Sequence, residues 1–204
     1  HAPVARRLFV IGLLLLLMLP TVEAQRKKVG VVLSGGGAKG VAHIGVLKVL
    51  EKAGIPVDVI VGTSMGSIVG GLYAIGYSAD QLDSLVRVQD WMFLLSDKVN
   101  RYDLPFGEKE QDGKYLLSVP FDRGKKRPSG FISGQNVYNL FSDLTIGYHD
   151  SLDFLQLPIP FACVAADMFH REEIVMKGGN LVQAMRASMA IPGVFTPVRT
   201  GDRV

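Results

Sequence analysis

Cysteine is almost missing from this chain of 204 residues. Cys163 stands alone, so no internal disulfide can form and the disulfide-stapled class of small secreted domain is excluded. Within Phe161-Ala162-Cys163-Val164-Ala165 it reads as a small buried hydrophobe in a strand, not as a reactive thiol. Histidine is scarce too, with four in all. No His, Cys, Asp and Glu set stands at metal-ligand spacing, so neither a metal nor a cofactor is expected. Charge of one sign is also lacking: 22 Lys and Arg against 19 Asp and Glu leave +3. Without a basic stripe, nucleic acid is not an expected partner. The densest basic run, Lys125-Lys126-Arg127, reads as a solvated loop in preference to a lipid head-group site. No apolar run reaches the roughly 20 residues that a spanning helix needs.

The longest apolar run, residues 8–19, follows Arg6 and Arg7 and precedes Pro20 and Val22-Glu23-Ala24. A positive start, an apolar middle and a small-residue end predict a signal peptide over residues 1–24, preferred to a membrane anchor. That leader implies secretion across an inner membrane and a periplasmic or outer-membrane-associated protein. Because the chain opens on His1, an incomplete or processed start is expected. Residues 25–204 then suit a single domain of ordinary size.

Along that domain, residues 28–33 read as a buried strand bounded by a glycine loop. Residues 41–53 change period, with Ile44, Leu47 and Leu50 on one face and Lys48, Glu51 and Lys52 on the other, as in an amphipathic helix. Gly54 and Pro56 stop it. Residues 57–61 form a second strand, expected parallel to the first because a helix intervenes. A helix buried on nearly all sides follows over residues 65–75. Ser78-Ala79-Asp80-Gln81 is a capping box opening another helix toward Val88. Trp91-Met92-Phe93-Leu94-Leu95 reads as core in preference to an acyl-chain contact. Residues 96–130 hold scattered Gly, Pro and charge, with a short strand at 115–119, and suggest a surface loop or a lid. Regular structure resumes with a helix that Ser133 caps, a strand from Phe161 to Asp167, and another over residues 173–176. Asn180-Leu181-Val182-Gln183 is a second capping box, and Pro192 ends its helix. The order predicts a three-layer α/β domain.

Chemistry concentrates at two glycine-framed motifs one βα unit apart. Gly62-Thr63-Ser64-Met65-Gly66, between an apolar strand and a helix, has the form of a nucleophile elbow: the tight turn presents the serine hydroxyl, and the glycines let strand and helix approach. Gly35-Gly36-Gly37-Ala38-Lys39-Gly40 follows the preceding strand and offers backbone N–H groups for an oxyanion. The bland alternative makes Ser64 a mere helix cap. The same loop also spells the dinucleotide fingerprint, but that use needs an acidic residue at the far end of the second strand, and Asp58 stands at the near end. A P-loop is excluded because Val41 stands where lysine is required. The base is less legible. Only His149 and His170 follow Ser64; His170 falls in a turn between strands, and His43 reads as a packed helix residue.

These residues closely resemble the patatin-like phospholipases. The likeness runs through Val29-Gly30-Val31-Val32-Leu33-Ser34, the glycine loop, Ala42-His43-Ile44-Gly45-Val46-Leu47 and the elbow. It continues in Ala162-Cys163-Val164-Ala165-Ala166-Asp167 and in Arg186-Ala187-Ser188-Met189-Ala190-Ile191-Pro192-Gly193-Val194-Phe195. The resemblance implies a three-layer α/β/α domain with a mainly parallel central sheet, hydrolysing acyl esters of phospholipids and other lipids by a serine–aspartate dyad without histidine or cofactor. It makes Ser64 the nucleophile, and Gly35, Gly36, Gly37, Ala38, Lys39 and Gly40 the oxyanion loop. Gly62, Thr63, Met65 and Gly66 form the elbow, and Asp167 is a minor site-lining candidate. The family's aspartate lies in a D-G-G or D-G-A motif after the Ala-Ser segment, and no such motif follows Ser188. Asp112-Gly113 reads as a turn, and Asp202 precedes Arg203. The expectation is therefore the front part of a longer lipid acyl hydrolase, truncated at its C-terminal end and inactive as it stands. The alternative is a non-catalytic lipid-binding module, or the passenger of an outer-membrane protein. The expected partners are a lipid ester and a membrane surface, and the resemblance allows a C-terminal membrane barrel.

Overall fold

The computed structural model describes residues 26–96, 98 and 130–199. The expected leader, the strand at 115–119, the basic run 125–127, Asp112-Gly113, Asp202 and nearly all of the loop or lid lie outside them.

Strand β1 (Gly30–Leu33) leads through a 3₁₀ turn (Gly37–Val41) into helix α1 (Ala42–Lys52). Strand β2 (Val59–Thr63) is followed by α2 (Met65–Ala74), α3 (Ala79–Val88) and the single turn α4 (Trp91–Leu94). After the break come β3 (Gly130–Ile132), α5 (Gln135–Leu144), β4 (Leu152–Asp153), a 3₁₀ turn (Phe154–Gln156) and β5 (Phe161–Asp167). The described chain closes with β6 (Glu172–Met176), β7 (Gly178–Gly179), α6 (Leu181–Ser188) and β8 (Gly193–Phe195).

The central sheet has the order β1-β2-β5-β6. β1, β2 and β5 run parallel, with Leu33 opposite Gly62 and Gly62 opposite Cys163. β6 returns antiparallel on β5 and places Glu172 opposite Asp167. The fold is α/β with a mainly parallel sheet. Two small pairs flank it, β3 with β8 and β4 with β7. Neither pair was legible in the sequence, since segments of two or three residues carry no usable period.

One sheet face, carrying Leu33, Ile60, Phe161 and Cys163, packs under α2 and α6. A side chain at Gly70 would meet Ile60, Leu33 and Phe161, and one at Gly71 would meet Met185 and Phe161. Glycine and alanine along α2 thus bring its backbone close to the strands, as expected of a helix buried all round: seven of its ten residues are buried. On the opposite face Val32, Val61 and Ala162 share one row, and Val32 is 78% exposed. Among the described residues, α2 and α6 both lie on the first face. Residues Ile44 and Leu47 of α1 are buried as the period requires.

The ends of elements follow local chemistry. Ser78 accepts from the Gln81 amide while the Gln81 side chain accepts from the Ser78 amide, the expected capping box. Asn180 caps α6 through the Gln183 amide at 2.9 Å. For α5 the cap position itself falls on Gly134, at φ 74°, and Ser133 stands one residue earlier, its hydroxyl 3.3 Å from the Gln135 amide. The 91–95 segment divides instead of forming uniform core: Leu94 is buried, whereas Met92 is 85% exposed.

Candidate active site

β2 ends at Thr63 and α2 opens at Met65, so Ser64 alone turns the corner. Its backbone has φ 53° and ψ −122°, a region that side-chain-bearing residues rarely enter. Holding it there costs on the order of 1–3 kcal/mol, which surrounding contacts must offset. The flanking glycines are explained by what a β-carbon would strike. At Gly62 it would collide with the Gly66 carbonyl and come within 2.6 Å of Ser67 Cα. At Gly66 it would collide with the Leu33 carbonyl, at the end of β1 where the glycine loop starts.

The glycine loop touches this corner at both of its ends. A β-carbon on Gly35 would sit 3.3 Å from Ser64 Cβ and 3.9 Å from Ser64 Oγ, and one on Gly40 would sit 2.6 Å from Met65 Cβ. Between those contacts Gly36, Gly37, Ala38 and Lys39 are exposed, and the Lys39 amide turns back to the Gly36 carbonyl at 3.2 Å. The two motifs, 29 residues apart from Gly35 to Ser64, are therefore one structure at the carboxyl edge of the sheet. Met65 and Thr63 contribute the elbow's backbone, and Met65 begins a ten-residue helix. The positive end of that helix favours negative charge developing beside Ser64.

His43 holds the loop's entry. Its Nε2 donates to the Ser34 carbonyl at 2.8 Å, since a carbonyl can only accept. The ring is thus a packing and bonding group of α1, as its place in the helix suggests. His170 lies in the turn after β5 and pairs through Nδ1 with Asp167 Oδ2 at 2.7 Å. Asp167 itself is 2% exposed, and its Oδ1 accepts from the Phe169 and His170 amides at 2.9 and 3.3 Å. The His170 bond, followed by these amides, holds its carboxyl below the usual range. Both oxygens are engaged within the 167–170 turn, on the same sheet edge as Ser64 and three residues past Val164, the partner of Thr63.

Asp58 sits at the other edge. It takes Arg26 bidentately at 2.6 and 2.7 Å and the Val29 amide at 2.7 Å, which draws its pKa down to about 2. Its carboxylate fastens the start of β1 and lies at the far end of the strands from the glycine loop, out of place for a ribose. Cys163 is fully buried, and burial pushes its thiol up to about 11. Among the described residues no group of three or more His, Cys, Asp or Glu could hold a metal ion.

Sequence reasoning missed Ser188 and Ser67 as site residues. Ser188 Oγ lies 2.7 Å from the Ser64 amide, across 124 positions of sequence, and 2.5 Å from the Val164 carbonyl. Ser67 Oγ donates to the Ser64 carbonyl at 2.7 Å. The only signal was that Ser188 stands in a segment carrying the family likeness. Nearby Arg186, 4% exposed, donates to the Ser133 and Thr196 carbonyls at 2.6 and 3.1 Å and lies 5.0 Å over the Phe195 ring.

A strained serine between a parallel strand and a buried helix, with a glycine loop against it, belongs to an α/β fold with a mainly parallel sheet. The family is narrower. A family model for patatin-like phospholipases matches residues 31–204, and the chain belongs to that family. Among curated relatives it is 29% identical over 178 residues to an NTE family protein of Mycobacterium tuberculosis, covering 87% of this chain and 26% of that one. It is 32% identical to patatin-like phospholipase domain-containing protein 6 of Homo sapiens, covering 83% of this chain and 10% of that protein. To lysophospholipase nte1 of Emericella nidulans it is also 32% identical, covering 84% and 10%. The chain thus spans about a quarter or less of the curated relatives it matches. Among solved structures it is similar to VipD from Legionella pneumophila, with TM-score 0.53, 16% identity and coverage of 87% and 45%. A structure of ExoU with SpcU from Pseudomonas aeruginosa gives 0.51 and 21%, covering 82% and 39%. At these identities the solved structures speak for the fold alone.

Proposed function

We propose that the protein is a lipid acyl hydrolase of the serine type, with Ser64 as nucleophile. The observation that carries this is the Ser64 corner itself: a serine held at φ 53° at the end of a parallel strand, with Gly35 against its side chain. Ser64 Oγ attacks the ester carbonyl and forms the acyl–oxygen bond, while its proton passes to a carboxylate. N–H groups of the 35–40 loop receive the oxyanion as the tetrahedral intermediate forms, and the alcohol leaves. Water then attacks the acyl-enzyme and releases the fatty acid. The carboxylate is assigned to an aspartate of a D-G-G or D-G-A motif downstream in the full-length protein. Asp167 is kept in a site-lining role, with its oxygens occupied in its own turn.

Support for a lipid ester as substrate comes from family membership and from the name of the Emericella relative, a lysophospholipase. A membrane surface is the corresponding partner, and the signal-peptide pattern expected over residues 1–24 is what supports the reading of a secreted, periplasmic or outer-membrane-associated protein. A C-terminal barrel in the full-length protein belongs to the same proposal. The test is Ser64→Ala in the full-length protein. We expect loss of lysophospholipid and p-nitrophenyl ester turnover by at least about 10³-fold, loss of fluorophosphonate labelling, and an unchanged melting temperature. Turnover surviving in the alanine variant would end this assignment. Vesicle binding by a wild type that neither labels nor turns over would instead favour the lipid-binding module.

A further inference from the structure

We infer that Ser188 and Ser67 are positioning residues that tie the Ser64 backbone on both sides of its Cα, one at its N–H and one at its carbonyl, and so hold the elbow in its strained conformation. The inference rests on Ser64 being the nucleophile, and deepens that assignment. The Ser64 corner is expensive, and the next residue opens a helix that would accept a relaxed serine at its cap. Something must hold the Ser64 backbone. Its N–H is 2.7 Å from Ser188 Oγ, and its carbonyl accepts from Ser67 Oγ at 2.7 Å as well as from the Ser67 and Ile68 amides at 2.9 and 3.2 Å.

The direction of the Ser188 bonds is fixed by chemistry. A hydroxyl has one proton to donate. The Val164 carbonyl, 2.5 Å away, can only accept, so Ser188 gives its proton there and accepts from the Ser64 N–H. The relay N–H···O–H···O=C ties the elbow to β5 through the last residue of α6. Relaxing the Ser64 backbone would leave its half-buried amide without a partner, a cost of about 1–3 kcal/mol, while Ser188 stays fixed to the Val164 carbonyl. That cost is comparable to the strain it opposes. Ser67, with no exposed surface, adds the second clamp from inside α2. The relay has a mechanistic consequence: the Ser64 amide is spent on structure, and the oxyanion donors have to come from the 35–40 loop and the first turn of α2.

The experiment compares wild type, Ser188→Ala, Ser188→Thr and Ser67→Ala in the full-length protein. Turnover of p-nitrophenyl butyrate, fluorophosphonate labelling rate, melting temperature and amide hydrogen exchange at Ser64 are measured. For Ser188→Ala we expect kcat and labelling rate to fall about 10–100-fold, as small misplacements of a reacting group do, with KM within about twofold. Exchange at the Ser64 amide should quicken by at least about tenfold, as an opened hydrogen bond requires. Threonine, which keeps the hydroxyl, should restore most of both. Ser67→Ala should lower kcat in the same sense. A lower melting temperature with unchanged kcat and unchanged Ser64 exchange would overturn the proposal, as would a threonine variant no better than alanine. If the wild type neither labels nor turns over, the nucleophile assignment fails, while Ser64 exchange still decides the clamp.

Discussion

Gly66 is tolerated by no substitute, because its missing β-carbon leaves room for the Leu33 carbonyl at the end of β1. Gly66→Ala would drive that carbonyl, and the glycine loop behind it, away from the elbow. We expect it to cost about 3 kcal/mol, the upper end of what overpacking costs, read as a lower urea midpoint, and to abolish labelling of Ser64. Gly45 is the control. It lies exposed in α1 with nothing near where a β-carbon would go, so Gly45→Ala should stabilise by about 0.5–1 kcal/mol. Both glycines stand in segments that carry the family likeness, and sequence alone separates them only through motif grammar. Gly66 was legible because an elbow demands it. The partners that tie the Ser64 backbone were not, because a serine hydroxyl acting across 124 positions leaves no local pattern.

At the scale of elements, the helices that were read well are those whose ends are written in side-chain chemistry. The Ser78–Gln81 box fixes the start of α3, and its loss is measurable. Ser78→Ala should lower stability by about 1 kcal/mol with no change in turnover, checked by denaturant titration and ester assay together. α1 was read from its apolar face and α2 from its lack of a polar one. The sequence places the second strand at 57–61, two residues before the observed Val59–Thr63, because Val57 is apolar yet stands outside the strand and Thr63 closes it past the apolar run. Asp58 turns its carboxylate back to Arg26 and the Val29 amide. The short pairs β3–β8 and β4–β7 depend on partners far along the chain, β3 meeting β8 across residues 130 to 195, and no window of sequence contains both.

For the whole molecule, the Arg26–Asp58 pair fastens the first described residues to the strand that presents Ser64. Asp58 has its pKa lowered from 3.8 to about 2, so the unfolded chain binds a proton that the folded chain resists. The stability it contributes is present above about pH 4 and is lost as pH falls through that window toward 2. Asp83 and Asp167, also lowered, act in the same sense. Asp58→Asn should therefore lower the melting temperature at pH 7 and flatten its dependence on pH between 4 and 2 relative to wild type. Equal slopes in the two proteins would refute this assignment. The site sits at the opposite edge of the sheet, so ester turnover per folded molecule at neutral pH should not change.

Sequence by itself determined the α/β class, the elbow and the glycine loop, because each is a local arrangement: a periodic apolar run, a turn that only glycine permits, and a serine between them. It also placed Asp167 at a strand end and kept His43 inside a helix. Only the tertiary structure decided that the two motifs touch, with Gly35 against Ser64 and Gly40 against Met65, since loop contact depends on how β1 and β2 register. It alone brought Ser188 of α6 to the Ser64 amide and buried Arg186 beneath β3 and β8. Those contacts join residues far apart in the chain, and they exist because α6 packs onto β5, a consequence of the whole core that no stretch of sequence states.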